Sequence, residues 1–194
     1  MDFIDMIKIR RSVYALNKNL PIAEDKVFDL IKDCVRFVPD AFNMQSQRAV
    51  VIVKGIHDKF WNAVYEEMVK YTGGRFSRER TDSFAAAYGT ILYFYDDAII
   101  EETRRKYPLY AEKFHDWVMQ SNGMLQFAVW TGLGTMGVGA NLQHYNPVID
   151  NMVSQMFNLP DSWTLVGQMP FGGIDRMPEP KPTEYVDIRV KIEK

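Results

Sequence analysis

The stretch GLGTMGVGANLQHYNP, from Gly132 to Pro147, contains a formal G-x-G-x-x-G in Gly132, Gly134 and Gly137. Such a triplet marks a dinucleotide site only where it follows a strand and opens a helix near the start of a βαβ unit. Here the residues upstream, from about Leu109 to Leu133, read as a long helix, and the glycines come late in the chain. Asp150 lies at a workable distance for a ribose contact, but it falls within the next helical pattern. Gly132 and Gly134 are therefore expected to end a buried helix and to let another backbone approach. Amides just past that end, in GVGAN, are then placed to donate to a flat heteroaromatic ligand.

From Trp117 to Ile149 there is no Asp, Glu, Lys or Arg. Gln120, Asn122, Gln126, Asn141 and Gln143 interrupt the run, so it does not read as a membrane span, which needs about 20 mostly apolar residues. It reads as a central helix covered on all sides. A chain of 194 residues supplies little cover for such a helix, and a homodimer would provide the rest.

Outward from this helix, Phe3, Ile4 and Ile7 mark a short amphipathic helix, and Val27, Leu30, Ile31 and Cys34 mark another. VPDAFNMQSQR reads as a loop with one helical turn, AVVIV as a buried strand, and HDKFWNAVYEEMVKY as a helix. TGGRFSRERTDS reads as a polar loop and YGTILYFYDD as a second buried strand. AIIEETRRKY is a charged helix. NPVIDNMVSQMFNLP is a helix with Asn146 as N-cap and Pro147 at its first position. SWTLVGQMPFGG is a third strand, EPKP an extended loop, and EYVDIRVKIE an alternating last strand. Strands and helices mix without strict βαβ alternation, which predicts an α+β fold in a single domain over residues 1–194.

With 47% hydrophobic residues the composition is that of a folded globular chain, and its net charge of −2 carries no basic face for nucleic acid. The N-terminus alternates charged and apolar residues and is expected to remain cytoplasmic. The lone Cys34 is expected to be a small buried hydrophobe. Three histidines scattered along the chain do not make a zinc site: His57 and His115 read as solvated and His144 as a hydrogen-bonded structural residue.

Three polar clusters remain. Arg10, Arg11 and Ser12 combine two guanidinium groups with a hydroxyl, suited to a phosphate or equally to a solvated basic bend. Asn43 and Gln45 present carboxamides that match the donor and acceptor edge of a pyrimidine ring. Lys181, in EPKP, is a loop cation within reach of an anion or simply solvated.

The order of these pieces carries more than any one of them. RRSVYAL, then AFNMQSQRAVV, then LQHYNP, then PFGG resembles the nitroreductase-like flavoprotein family, over nearly the whole chain and in its short subgroup. The resemblance implies an intertwined homodimer with a central, mostly antiparallel sheet flanked by helices and with FMN at the dimer interface. By that likeness Arg10 and Ser12 hold the phosphate and ribityl chain with Arg11 alongside. Asn43 and Gln45 meet the flavin from the opposite subunit, the backbone of Gly139, Ala140 and Asn141 approaches its N5 edge, and Lys181 is a late phosphate contact. The implied activity is ping-pong transfer of electrons from NAD(P)H to nitroaromatic, quinone or similar acceptors, with no acid–base or nucleophilic side chain. The alternative is a flavin-binding regulatory or storage module with little turnover. Two positions depart from the pattern: Tyr14 stands where many members carry a cation that stabilises reduced flavin, for which Arg11 or Arg48 would have to substitute, and Asp40 stands in place of Ser.

Overall fold

A computed structural model describes residues 1–180, 182 and 188–194. Seven α-helices lie among the described residues: α1 (Phe3–Ile9), α2 (Glu24–Phe37), α3 (Lys54–Thr72), α4 (Arg78–Ala85), α5 (Asp97–Lys106), α6 (Phe114–Thr135) and α7 (Asp150–Phe157). The strands are β1 (Ala15–Asn17), β2 (Gln47–Val53), β3 (Gly89–Asp96), β4 (Gly139–Ala140) and β5 (Trp163–Arg176).

The sheet runs in the order β1-β5-β3-β2, every pairing antiparallel, with β4 also pairing with β5. β3 is buried along its whole length, as its aromatic and β-branched sequence requires of a central strand. Alternate side chains of β3 go to opposite faces. Ile91, Tyr93 and Tyr95 pack with Val27 and Ile31 of α2 and with Leu125 and Val129 of α6. Leu92 and Phe94 pack with Phe60 and Trp61 of α3, Phe84 of α4 and Val153 of α7. Helices therefore cover both faces of an α+β sheet.

α6 carries its polarity internally. Asn122 Nδ2 donates to the carbonyl of Phe94 at 3.1 Å, and Gln126 Nε2 donates to Asn122 Oδ1 at 2.7 Å. The helix ends in a Schellman motif: Val138 N donates to Leu133 O at 3.0 Å, and Gly137 N donates to Gly134 O at 3.1 Å. Gly137 sits at φ +73, the left-handed residue this motif demands. The helix thus runs through Gly132 and Gly134, which were expected to end it, and the third glycine of the triplet is the terminator; no dinucleotide turn exists there.

Several elements depart from expectation. TGGRFSRERTDS is not all loop, because Arg78–Ala85 forms α4, burying Thr81 and Phe84. The helix after Pro147 begins only at Asp150, with Ile149 and not Asn146 at its cap, since residues 147–149 form turns. Pro108–Lys113 is a 3-10 helix leading into α6. The short β1 follows RRSVY. Of the expected last strand, residues 184–187 lie outside the described residues, and residues 188–194 are turn and irregular chain. No helix among the described residues is long and apolar enough to cross a membrane.

Candidate active site

The N-terminal arginines and the segment after α6 come together, although they are far apart in sequence. Ser12 forms a bridge with Ala140, and Val13 N donates to Ala140 O at 2.9 Å. The indole N–H of Trp130 is shared between the carbonyls of Arg11, at 3.2 Å, and Ala140, at 3.1 Å. The guanidinium of Arg10 lies 4.5 Å from the centre of the same indole ring. Gly134 lets the backbone of Arg10 pass close by, 3.5 Å from where a Cβ would stand.

Among the described residues the two arginines meet a ring and a carbonyl. Arg11 Nη2 donates to the carbonyl of Glu179 at 2.6 Å, a dipole and not a charge. Among the described residues no carboxylate pairs with either. Partial burial, and then the neighbouring Arg11, lower the pKa of Arg10. Two adjacent cations without a counter-charge, beside a hydroxyl, suit a dianionic phosphate.

Gly139, Ala140 and Asn141 are buried. Their amides are less available than the sequence suggested, because β4 pairs with β5 and Asn141 N donates to Pro170 O at 3.2 Å. The Asn141 side chain continues the connection: Nδ2 donates to Val13 O at 2.8 Å, and Oδ1 accepts from Gln143 Nε2 at 2.7 Å. This relay leads from the arginine junction to a cavity of about 560 Å³ lined by Met68, Phe76, Arg80, Gln143, His144 and Tyr145, among others. Arg80 comes from α4, and no carboxylate among the described residues pairs with it. Burial raises the pKa of the Tyr145 phenol, and the nearby Arg80 pulls the other way. Arg80 escaped the sequence reading because its helix was taken for a loop; the signal was the R-x-x-T-x-x-F spacing of Arg78, Thr81 and Phe84.

Asn43 and Gln45 lie elsewhere on the chain, in the 40–46 loop. Three non-glycine residues of this loop have left-handed backbones: Phe42 (φ 54), Asn43 (φ 52) and Gln45 (φ 55). Asp40 holds it from inside, its carboxylate accepting from Ala41 N at 2.9 Å and from Ser46 N and Ser46 Oγ, both at 2.7 Å. Asp40 is therefore the cap of the loop. Phe42 packs against Tyr107, Phe114 and Trp117, beside a cavity that Met124 also lines. No contact joins Asn43 or Gln45 to Arg10, Arg11 or Ser12 within one chain among the described residues. The site residues thus form two separate halves. Lys181 lies outside the described residues.

The histidines divide differently from expectation. His57 is fully buried at the start of α3, because the aromatic core of Phe60, Trp61 and Phe84 closes over it. Thr90 Oγ1 accepts from Trp61 Nε1 at 2.9 Å and shares a hydrogen bond with His57 Nδ1 at 3.1 Å. His144 is exposed at the rim of the Arg80 cavity and its ring has no hydrogen bond among the described residues, unlike the hydrogen-bonded structural residue expected, while His115 is exposed as expected. Cys34 is half-buried against the core. No cluster of metal-binding side chains exists among the described residues.

An antiparallel sheet with helices on both faces, an arginine pair bound to the segment after a buried helix, and a strained carboxamide loop define an α+β protein with two half-sites. The model of the Nitroreductase family matches residues 7–173. Nitroreductase FRM2 of Saccharomyces cerevisiae is 32% identical over 182 residues, covering 93% of this chain and 92% of that protein. The structure of nitroreductase CinD from Lactococcus lactis in complex with nicotinic acid is 40% identical, covers both chains fully and superposes with a TM-score of 0.95. A putative nitroreductase from Exiguobacterium sibiricum, solved in complex with FMN, shares the fold at 14% identity and a TM-score of 0.73, covering 100% of this chain and 98% of its own. The chain belongs to the nitroreductase family and is an oxidoreductase.

Proposed function

We propose that this 194-residue chain acts as a single-domain, homodimeric FMN-dependent oxidoreductase. The chemistry that FMN supplies when bound is acceptance of a hydride from NAD(P)H and donation of electrons, in ping-pong order, to a nitroaromatic, quinone or similar acceptor. The observation that carries the reading is the uncompensated pair Arg10 and Arg11 beside Ser12, which fits the phosphate of such a cofactor. The FMN complex of the similarly folded Exiguobacterium protein supports the choice of flavin.

The chain's own residues divide the work. Arg10, Arg11 and Ser12 bind the phosphate end, with Lys181 as a further contact. Gly139, Ala140 and Asn141 fix Ser12 and carry the relay towards Gln143. Asn43 and Gln45 reach the ring system from the opposite subunit. The separation of the two half-sites within one chain supports a dimeric site. Arg80 takes the place of the cation missing at Tyr14, whose side chain is 56% exposed. The other two candidates are less suited: Arg48 is ion-paired with Asp96 at 3.0 Å, and Arg11 is held by Glu179 O. A cation on the cavity wall favours the reduced, anionic ring. This assignment weakens the alternative of a flavin-binding module with little turnover, for which the missing cation was the argument.

The test is Arg10→Ala. Loss of a charge-assisted contact to phosphate costs about 1.5–3 kcal/mol, so FMN affinity should fall roughly tenfold to a hundredfold. FMN fluorescence quenching during titration of the apoprotein measures it, and an unchanged affinity removes Arg10 from the site. Oxidation of NAD(P)H with a quinone or nitroaromatic separates the enzyme from the module.

A further inference from the structure

Arg48 reaches three oxygens with one guanidinium. Its Nη1 donates to the carbonyl of Gln45 at 2.7 Å and to that of Gln47 at 3.0 Å, and its Nη2 donates to Asp96 Oδ2 at 3.0 Å. Its guanidinium also stands 5.7 Å from the ring centre of Trp163. Asp96 is held in turn at the end of the fully buried β3, where it accepts from Ala98 N at 3.2 Å as the N-cap of α5. A rigid element therefore grips the backbone of Gln45 through a planar fork.

The grip falls on a strained residue. Gln45 lies at φ 55, a conformation that disfavours a side-chain-bearing residue and persists only where its surroundings enforce it. Asp40 restrains the loop through Ala41 and Ser46 but makes no bond to Gln45. The described bond that holds the Gln45 carbonyl is the one from Arg48. Released, Gln45 would relax towards negative φ and its side chain would turn away from its present direction.

We infer that Arg48, anchored by Asp96, is a positioning residue that holds Gln45 in its left-handed conformation and so aims the Gln45 carboxamide at the cofactor. The inference rests on the assignment of Gln45 to the flavin site made above. It gives Arg48 a mechanical role in place of an electrostatic one: its charge is spent on Asp96, and its geometry sets the loop. Lysine has no fork and cannot bond two carbonyls and a carboxylate in one plane.

A double-mutant cycle tests this. FMN dissociation constants are measured for the dimeric wild-type protein, Gln45→Ala, Arg48→Met and the double variant, with the flavin absorbance envelope recorded for each. Gln45→Ala is expected to weaken FMN about tenfold, Arg48→Met by a similar factor, and the double variant no further than either. Arg48→Met and Gln45→Ala should shift the flavin bands alike, and Arg48→Lys should fail to restore them. Asp96→Asn keeps the helix cap and loosens only the anchor, so it should change affinity in the same direction by less. Thermal melting of each apoprotein identifies variants that simply fold poorly. If the two losses multiply in the double variant, or if Arg48→Met lowers the melting temperature and leaves FMN binding and bands unchanged, the positioning role is overturned while the place of Gln45 stands. If Gln45→Ala itself leaves FMN binding and bands untouched, the assignment of the loop to the cofactor falls, and the role of Arg48 with it.

Discussion

Gly172 shows how tightly single residues set the frame of the site. A Cβ there would run into the backbone oxygen of Asn17 and stand 2.9 Å from the backbone nitrogen of Tyr88. Asn17 cannot move without breaking the β1–β5 register, which carries the chain out of the arginine junction, and Tyr88 N is bonded to Phe171 O at 2.9 Å. Gly172→Ala is expected to cost about 1–3 kcal/mol, as overpacking does, read as a lower urea midpoint. Gly55, in α3 with nothing within 4 Å of its would-be Cβ, is the contrast. Gly55→Ala should stabilise by up to about 1 kcal/mol through helix propensity. At this scale, sequence reading succeeded at Gly134, expected to let another backbone approach and found with that of Arg10 beside it, and missed that Gly137, not Gly132 or Gly134, ends the helix. It failed at His57, whose charged neighbours in HDKF suggested solvent. Burial there is decided by Trp61, Phe84 and Thr90, and Thr90 and Phe84 come from distant elements that no local window contains.

Among elements, the long and periodic ones were legible. α2, α3, β2 and β3 follow their hydrophobic spacing, and tertiary packing only confirms it. α4 was not legible, because Thr81 and Phe84 are its only buried residues. Tertiary contact with α3 makes it a helix, and the junction of the two is where His57 sits. Burial drives the His57 pKa down to about 4, against a smaller upward pull from Asp58. The unfolded chain binds this proton at about pH 6.5. Between pH 6.5 and 4 the unfolded state therefore holds more protons, so stability is fully present above 6.5 and falls as pH drops through this window. The total loss is about 3 kcal/mol, levelling below pH 4. Urea midpoints measured across the window should show this limb in the wild type and a flattened one in His57→Phe. An identical slope in both would mean that another group carries the acid sensitivity.

At the scale of the whole molecule, the uncharged run from Trp117 to Ile149 gave the reading of a buried helix in need of further cover. The structure satisfies Asn122 and Gln126 of that run internally. On the same helix Met119, Met124 and Phe127 form a partly open apolar stripe, 42%, 44% and 39% exposed. Apolar surface left open in this way suits an association site. Phe42, in the strained loop, is 47% exposed and shares a cavity with Met124, so the carboxamide half-site borders the same face. If a second copy covers the stripe, the loop of one chain is carried to its partner, and dimer formation and cofactor binding become one equilibrium. Phe127→Glu and Met124→Glu place a charge where the monomer is already open to water, so the fold should survive with an unchanged far-ultraviolet circular dichroism spectrum. A charge buried at an interface is far more costly, and the variants should elute at the mass of a single chain and lose bound FMN together. A variant that elutes as a monomer yet retains FMN at wild-type affinity would separate the two events and place the whole site within one chain. One that remains dimeric and yellow would move the interface off α6.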